Sequence, residues 1–359
     1  MSPARIHGSS GRKGAGMQHA AMKAAVYSGV NTVETVLCEV PVPHEGETLI
    51  RVEAAGICGT DMAIFAGKHP RAKAPLIMGH EIGGVVERIV GEAPKGVKTG
   101  SRVTFFPLIS CGECFTCKTG KTYVCENLRL IGIDRDGGMA EYMVVPTDSV
   151  VPVPGHWPRN RAALMEPVAV AVHAVRRSSL SIGDTVLALG AGIIGNLCAQ
   201  TAKAAGARLV AIADMVPSRL KLAAEAGLVT INLAEEDFNA RVRELTEGVG
   251  FDVTMECSGS AGAQPLATAA TRVLGEILVV GMPKEPPPVD LRMVTFKELT
   301  LVGTRVYEKI DFVRAADLVE EGKIAVDNLA THEFPVDRVK EAFDVMARAG
   351  DSLKVLITF

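Results

Sequence analysis

The sequence predicts two domains of different class: a β-rich domain first, then an α/β domain built on a doubly wound parallel sheet. Three observations carry this. The chain has 359 residues, more than the ~100–200 typical of one domain. From Lys23 to about Pro154, short β-rich runs such as ETLIRVEAAG and EIGGVVERIV are separated by Gly and Pro. They show no long helical period, which is the texture of an irregular barrel. Beyond about Glu166, short apolar runs (TVLAL, RLVAIA, DVTMEC, EILVV, LTLV) alternate with Ala-rich helical stretches. Continuous apolar strands between helices imply a parallel sheet buried on both faces.

In chain order, residues 1–21 are rich in Gly, Ser and basic residues without an apolar period. They read as a flexible extension, His7 and His19 included, and the fold begins at Met22. Residues 22–170 form the β-rich domain. Residues 171–309 form the α/β domain, with strands at 185–189, 208–213, 252–257, 276–280 and 299–302 and helices at 193–205 and 218–226. A helix near 311–321 and a last strand, LKVLITF, return the chain to the first domain as residues 310–359.

Composition narrows the function classes. Hydrophobic residues are 48% and charged residues 22%, ordinary globular values that exclude an intrinsically disordered chain. The net charge is −3; Arg5, Arg12 and Lys13 are the only charges before Met22, so the remainder carries −6. Such a body has no electrostatic case for a nucleic acid or an anionic membrane as partner. No apolar stretch approaches the ~18 residues that span a bilayer, and the N-terminus lacks the apolar core of a signal peptide. The expectation is a soluble, cytoplasmic protein acting on a small molecule.

Gly190-Ala-Gly192-Ile193-Ile194-Gly195 follows the strand TVLAL directly and opens a helix. The first glycine permits the tight turn, the second lets backbone approach a pyrophosphate, and the third lets helix pack closely on strand. N–H groups of the opening helical turn and its positive end then hold the diphosphate. The next strand ends at Asp214, whose carboxylate accepts from both ribose hydroxyls and repels a 2′-phosphate. NAD is the expected cofactor. Arg219, close by, leaves NADP use open, and the alternative role for Asp214 is to cap the following helix.

Four of the eight cysteines, Cys111, Cys114, Cys117 and Cys125, are spaced C-x2-C-x2-C-x7-C, while Cys38, Cys58, Cys198 and Cys257 are scattered. Two-residue gaps let thiolates converge on one ion, and four soft ligands suit a closed, structural Zn²⁺. An iron–sulfur cluster uses the same ligand set, and a metal-free group of thiols is the bland alternative. Cys58 in GICGTD, His80 and Glu81 in PLIMGHEIGG, and Glu166 in ALMEPVAVAVH are individually uninformative. Together they offer one thiolate, one imidazole and two carboxylates, and three such ligands with an open position describe catalytic zinc. Whether Glu81 or Glu166 is bound directly stays open.

In this order GICGTD, GHE, the four-cysteine lobe, DGGMAEY, EPVAVAVHA and GAGIIG resemble the zinc-dependent medium-chain dehydrogenases/reductases, of the sorbitol and L-threonine 3-dehydrogenase type. The resemblance runs from about Met22 to the C-terminus. It implies a GroES-like catalytic domain, a Rossmann domain and an active site in the cleft between them. It further implies two zincs: a catalytic one on Cys58, His80 and a glutamate, and a structural one on the four-cysteine lobe. Liver-type alcohol dehydrogenases are similar but use a cysteine near the Glu166 position, so Glu166 tilts the reading toward the polyol and threonine branch.

Thr60, two residues beyond Cys58, is the candidate to take the alcohol proton, with backbone hydrogen bonding as its alternative role. Many relatives carry a histidine three residues after this hydroxyl; here Ala63 stands, so the proton path runs through water, the cofactor ribose or another group, with His69 a candidate against its reading as an exposed loop residue. Aromatics are only 4%, and a pocket poor in them suits a hydroxylated substrate. Phe65, Arg305 and Tyr307 are candidate substrate residues, Arg305 as partner to a carboxylate or phosphate. A polyol, sugar acid or sugar phosphate is the expected substrate, with L-threonine the alternative. A zinc-free quinone reductase and a zinc- or redox-sensing protein without turnover are the rival readings. Family analogy implies a homodimer or homotetramer.

Overall fold

The computed structural model describes residues 20–348 and 350–359, and these fall into two units, one of residues up to 166 with 330–359, the other Pro167–Leu329. Residues 1–19, with His7 and His19, lie outside the described residues. The first strand opens at Ala21, one residue before the expected start of the fold, and Val40 donates to the Ala20 carbonyl at 2.9 Å.

The first unit is β-rich. Its main sheet runs in the order 150–152, 102–105, 81–90, 47–56, 354–358 and 330–335, with 142–146 pairing to 47–56 as well. A smaller sheet holds 32–39, 21–29 and 76–77. Between the first strand and residue 163 helices are short, as the absence of a 3.6-residue period requires: Gly59–Phe65 opens within GICGTD and Phe115–Lys118 lies inside the four-cysteine motif, while the longer Val339–Arg348 comes with the C-terminal segment. The antiparallel register sets Gly56 opposite Glu81, and Leu356 of the last strand pairs with the other edge of Gly56. Three segments far apart in sequence, ending at Cys58, beginning at His80 and beginning at Lys354, therefore meet at one end of this sheet.

The second unit is a six-stranded parallel sheet in the order 229–232, 209–214, 185–189, 251–256, 271–279 and 300–303. Strand Thr185–Leu189 is buried throughout, because helices cover both faces of a doubly wound sheet. The strand order reverses beside Thr185–Leu189, and ligands of such sheets bind outside the carboxyl ends at that switch point.

Two boundaries differ from expectation: the first unit ends at Glu166 rather than at residue 170, and the larger difference lies at residues 310–329. The helix Lys309–Glu320 was expected with the first domain, but residues 310–329 belong to the second unit. The reason is a buried ion network that local sequence does not display. Asp311, fully buried in the helix's first turn, bonds His173 Nδ1 at 2.9 Å and the Arg176 guanidinium, both on helix Met165–Arg177. Burial pushes the Asp311 carboxyl up, yet His173, the Glu308 amide and Arg176 together hold it below its ordinary value.

Candidate functional site: a buried metal-ligand set and a dinucleotide cradle

Cys58 ends the stretch after strand Glu47–Gly56 and sits at the N-cap of helix Gly59–Phe65, where its own N–H donates to Asp61 Oδ2 at 2.8 Å. His80 and Glu81 open the next strand and are almost fully buried. The ligand atoms of Cys58, His80 and Glu81 lie within 4.8 Å of one another. Gly56 makes this possible, since a Cβ there would collide with Glu81 Oε2. Two residues complete the set that no local sequence signal marked. Lys354, 1% exposed, donates to both Glu81 oxygens at 2.7 Å and to the Ile57 carbonyl at 3.1 Å. Asp61, fully buried, places Oδ1 3.9 Å from His80 Nδ1, and both of these atoms lack a hydrogen-bond partner. A carboxylate behind a ligating imidazole is the usual means of fixing its orientation.

The charges show what fits. Burial alone would lower the His80 pKa, but Cys58 and Asp61, with Glu166 further off, raise it well above its ordinary value. Burial would also lower Lys354, and Glu81, Cys58 and Glu166 hold it up instead. One thiol, one imidazole and three buried acids share a single lysine, and such a pocket favours a divalent cation in place of a proton. Glu166, 6% exposed in the first turn of Met165–Arg177, acts on both His80 and Lys354 from outside the three-residue group.

The four-cysteine lobe closes on itself. Its sulfurs lie within 4.8 Å of one another, with Cys125 Sγ 3.4 Å from Cys111 Sγ and 3.9 Å from Cys114 Sγ. The amides of Cys111 and Asn127 donate to Cys125 Sγ at 3.3 Å. The Thr116 hydroxyl and the Glu126 and Cys117 amides bring the Cys114 thiol down to about 6, while burial and Cys114 push Cys117 up to about 12. Four thiols crowded this closely cannot all ionise without a cation among them, which is the condition a tetrahedral zinc satisfies. A third acid–histidine group, His173, Glu308 and Asp311, is already filled by Arg176.

In the second unit, Gly190 has φ +100°, and a Cβ on Gly195 would strike the Gly190 carbonyl, so the turn demands glycine at both. Gly192 caps the helix that begins with Ile193 and Ile194, both half-buried. Asp214 ends strand Leu209–Asp214. Its Oδ2 accepts from the Ala191 amide at 2.6 Å, and Oδ1 accepts from Met215 at 2.7 Å and Val216 at 2.9 Å. It thus fastens the glycine turn to the neighbouring strand, while Val216 is the N-cap of helix Pro217–Glu225, whose first turn carries half-buried Arg219.

The remaining candidates separate. Thr60 is half-buried in the first turn of Gly59–Phe65. The His69 ring is half-buried in a loop, its Nδ1 accepting from the Ala72 amide at 3.2 Å and the Arg71 amide at 3.4 Å. Phe65 packs against Phe343 with ring centroids 5.1 Å apart and the rings tilted by 45°. Tyr307, proposed for substrate, is instead fully buried, edge-on to Phe312 at 5.0 Å, because the chain turns inward there to start the Lys309–Glu320 helix. Arg305 is exposed.

Residues 44–155 match the alcohol dehydrogenase GroES-like domain and residues 194–321 the zinc-binding dehydrogenase domain. The chain is 38% identical over 351 residues to L-threonine 3-dehydrogenase of Bacillus subtilis, covering 95% of this chain and 99% of that one. It is 37% identical over 337 residues to 2-dehydro-3-deoxy-L-galactonate 5-dehydrogenase of Pseudoalteromonas atlantica, covering 94% and 98%. An alcohol dehydrogenase from Escherichia coli CFT073, solved with NADH, superposes with a TM-score of 0.86 at 30% identity, covering 94% and 99%. The chain belongs to the zinc-dependent medium-chain dehydrogenase/reductase family. It has that family's GroES-like and Rossmann folds and is an oxidoreductase that uses a nicotinamide cofactor.

Proposed function

We propose that this protein oxidises a secondary hydroxyl of a polyol, sugar acid or sugar phosphate, with NAD as hydride acceptor. The observation that carries the reading is the convergence of half-buried Cys58 with buried His80 and Glu81 in a chain that also builds the Gly190–Gly195 turn on Asp214. Zinc held there supplies Lewis acidity toward the alcohol oxygen, and the nicotinamide supplies the hydride acceptor. Cys58 and His80 would hold the ion. Lys354 engages both oxygens of Glu81, which supports Glu166 as the carboxylate ligand and Glu81 as the charge behind it. The Thr60 hydroxyl takes the proton, and Ala63 and the amide-engaged Nδ1 of His69 direct its onward path to water. The four-cysteine lobe would hold a second, structural zinc. Exposed Arg305 is the group on this chain suited to a substrate carboxylate or phosphate. The L-threonine reading is favoured by the Bacillus subtilis relative.

The test is a panel of polyols, aldonates, sugar phosphates and L-threonine with NAD and NADP in separate arms, alongside metal analysis. Two zincs per chain and turnover on a hydroxylated acid or polyol are the expected result; threonine as the best substrate selects the second reading. No turnover by zinc-loaded protein that binds NADH overturns both.

A carboxylate at Asp214 supports NAD over NADP. Asp214→Ser is expected to improve the NADP/NAD ratio of kcat/KM by ~10-fold or more, about the 1.4 kcal/mol of one charge–phosphate repulsion. An unchanged ratio in the same assay removes Asp214 from cofactor choice.

For assembly, strand Thr300–Gly303 is an edge of the parallel sheet with Leu301 exposed, and the preceding helix exposes Leu291 and Phe296. An open apolar edge supports a homodimer formed by pairing of this strand with its copy, a state that sedimentation velocity reads. No described helix is long and apolar enough to cross a membrane, and all eight cysteines are unpaired, which supports a cytoplasmic location.

A further inference from the structure

Glu256 is the last residue of strand Phe251–Glu256, which flanks the switch point of the parallel sheet, and it is fully buried. Nothing in the Gly190–Gly195 motif or in the metal chemistry uses it. Its Oε1 accepts three hydrogen bonds from the turn that follows: the Ser258 amide at 2.8 Å, the Ser258 hydroxyl at 2.6 Å and the Gly259 amide at 2.9 Å. Its Oε2 is buried without a partner. Its main-chain carbonyl accepts from Val280 at 2.9 Å and Gly281 at 2.8 Å, the turn that ends the next strand.

The same residues pack backbone closely against backbone. A Cβ on Gly281 would strike the Gly259 amide and come within 2.8 Å of Glu256 Oε2. Gly259, at φ +64°, would bring one within 2.8 Å of the Met282 carbonyl, and Gly190 would bring one within 3.0 Å of Ser258 Cβ. The Cys257 amide donates to the Leu189 carbonyl at 3.0 Å, immediately before Gly190. Three turns at the carboxyl ends of three adjacent strands are thus interlocked, and the Glu256 carboxylate is the one side chain that draws the middle turn down. One oxygen that accepts three donors from two consecutive residues fixes the position of that turn.

We propose that Glu256 is a positioning residue for the dinucleotide: it holds the Ser258–Gly259 turn in the place that keeps the Gly190 turn and the Gly281 turn in binding register. This rests on the reading of the second unit as an NAD cradle. The test is NADH affinity by fluorescence titration of purified full-length Glu256→Ala, Glu256→Gln and wild type, with melting temperature and NAD kinetics measured in parallel. Glu256→Ala is expected to weaken NADH by ~10-fold or more and to raise KM for NAD more than it lowers kcat. Glu256→Gln, which keeps the acceptor oxygen, is expected to stay within about threefold of wild type. A folded Glu256→Ala with wild-type affinity, or an equal loss in the Gln variant, overturns the proposal. If the Ala variant is not recovered folded, Ser258→Ala removes the 2.6 Å bond to Glu256 together with the 3.0 Å bond that the hydroxyl accepts from the Ser260 amide; a loss of about threefold at an unchanged melting temperature is expected, and unchanged affinity overturns the proposal. Wild type that fails to bind NADH sinks the cradle reading itself, a distinct outcome.

Discussion

His80→Ala is expected to lower kcat/KM for the best alcohol by about 10³-fold or more, with zinc content falling by one ion per chain. The imidazole is one of the three donors gathered within 4.8 Å, and it is the only nitrogen ligand among them. Without it Cys58, Glu81 and Asp61 crowd a cavity that holds their charge less well, and the cation they favour binds weakly. Lewis-acid stabilisation of the reacting oxygen amounts to several kcal/mol, and each 1.36 kcal/mol is tenfold in rate. Thr60→Ala separates metal from proton transfer. It removes one acceptor, so a loss of ~10²-fold is expected at full zinc content. NADH affinity should hold in both variants, because the Gly190–Gly195 turn and Asp214 belong to the other unit. Full activity in His80→Ala, or a second zinc retained by it, removes this histidine from the metal site.

How much of this the sequence disclosed depends on the distance over which each feature is encoded. The four-cysteine lobe and the glycine turn are local: all their chemistry falls within 15 residues or one strand–helix junction, and the spacing alone dictates convergence. Cys58 and His80 are 22 positions apart; their residue types made them candidate ligands of one ion, but no spacing dictated that they meet, since the pairing that sets Gly56 opposite Glu81 is a property of two strands together. Lys354 was not legible at all. It lies 273 residues from Glu81, in a strand whose continuous apolar run says only that it is buried. The helix near 311–321 was legible as a helix, but its allegiance was not, because the His173–Asp311–Arg176 network exists only in tertiary structure. The burial of Tyr307 was not legible for the same reason. A tyrosine after a strand end suits a cleft, and here the chain buries it against Phe312.

Lys354→Met is expected to destabilise the first unit by about 3–5 kcal/mol, the usual cost of leaving one member of a buried ion pair without its partner. Methionine matches the lysine stem in length, so packing is kept and charge is the variable. Glu81 would then keep both oxygens buried without a donor, beside a thiol and two further acids, and nothing within the unit replaces the three bonds that Lys354 makes. The double variant Lys354→Met/Glu81→Gln removes the orphaned charge and is expected to recover more than half of the loss, since replacing both members of such a pair costs little. Denaturant midpoints before and after zinc removal distinguish the causes. A bound cation offsets part of the Glu81 charge, so the loss in Lys354→Met should be larger for the chelated protein. A loss of the same size in both states would assign the effect to packing, and a midpoint equal to wild type would mean that Glu81 does not depend on this lysine.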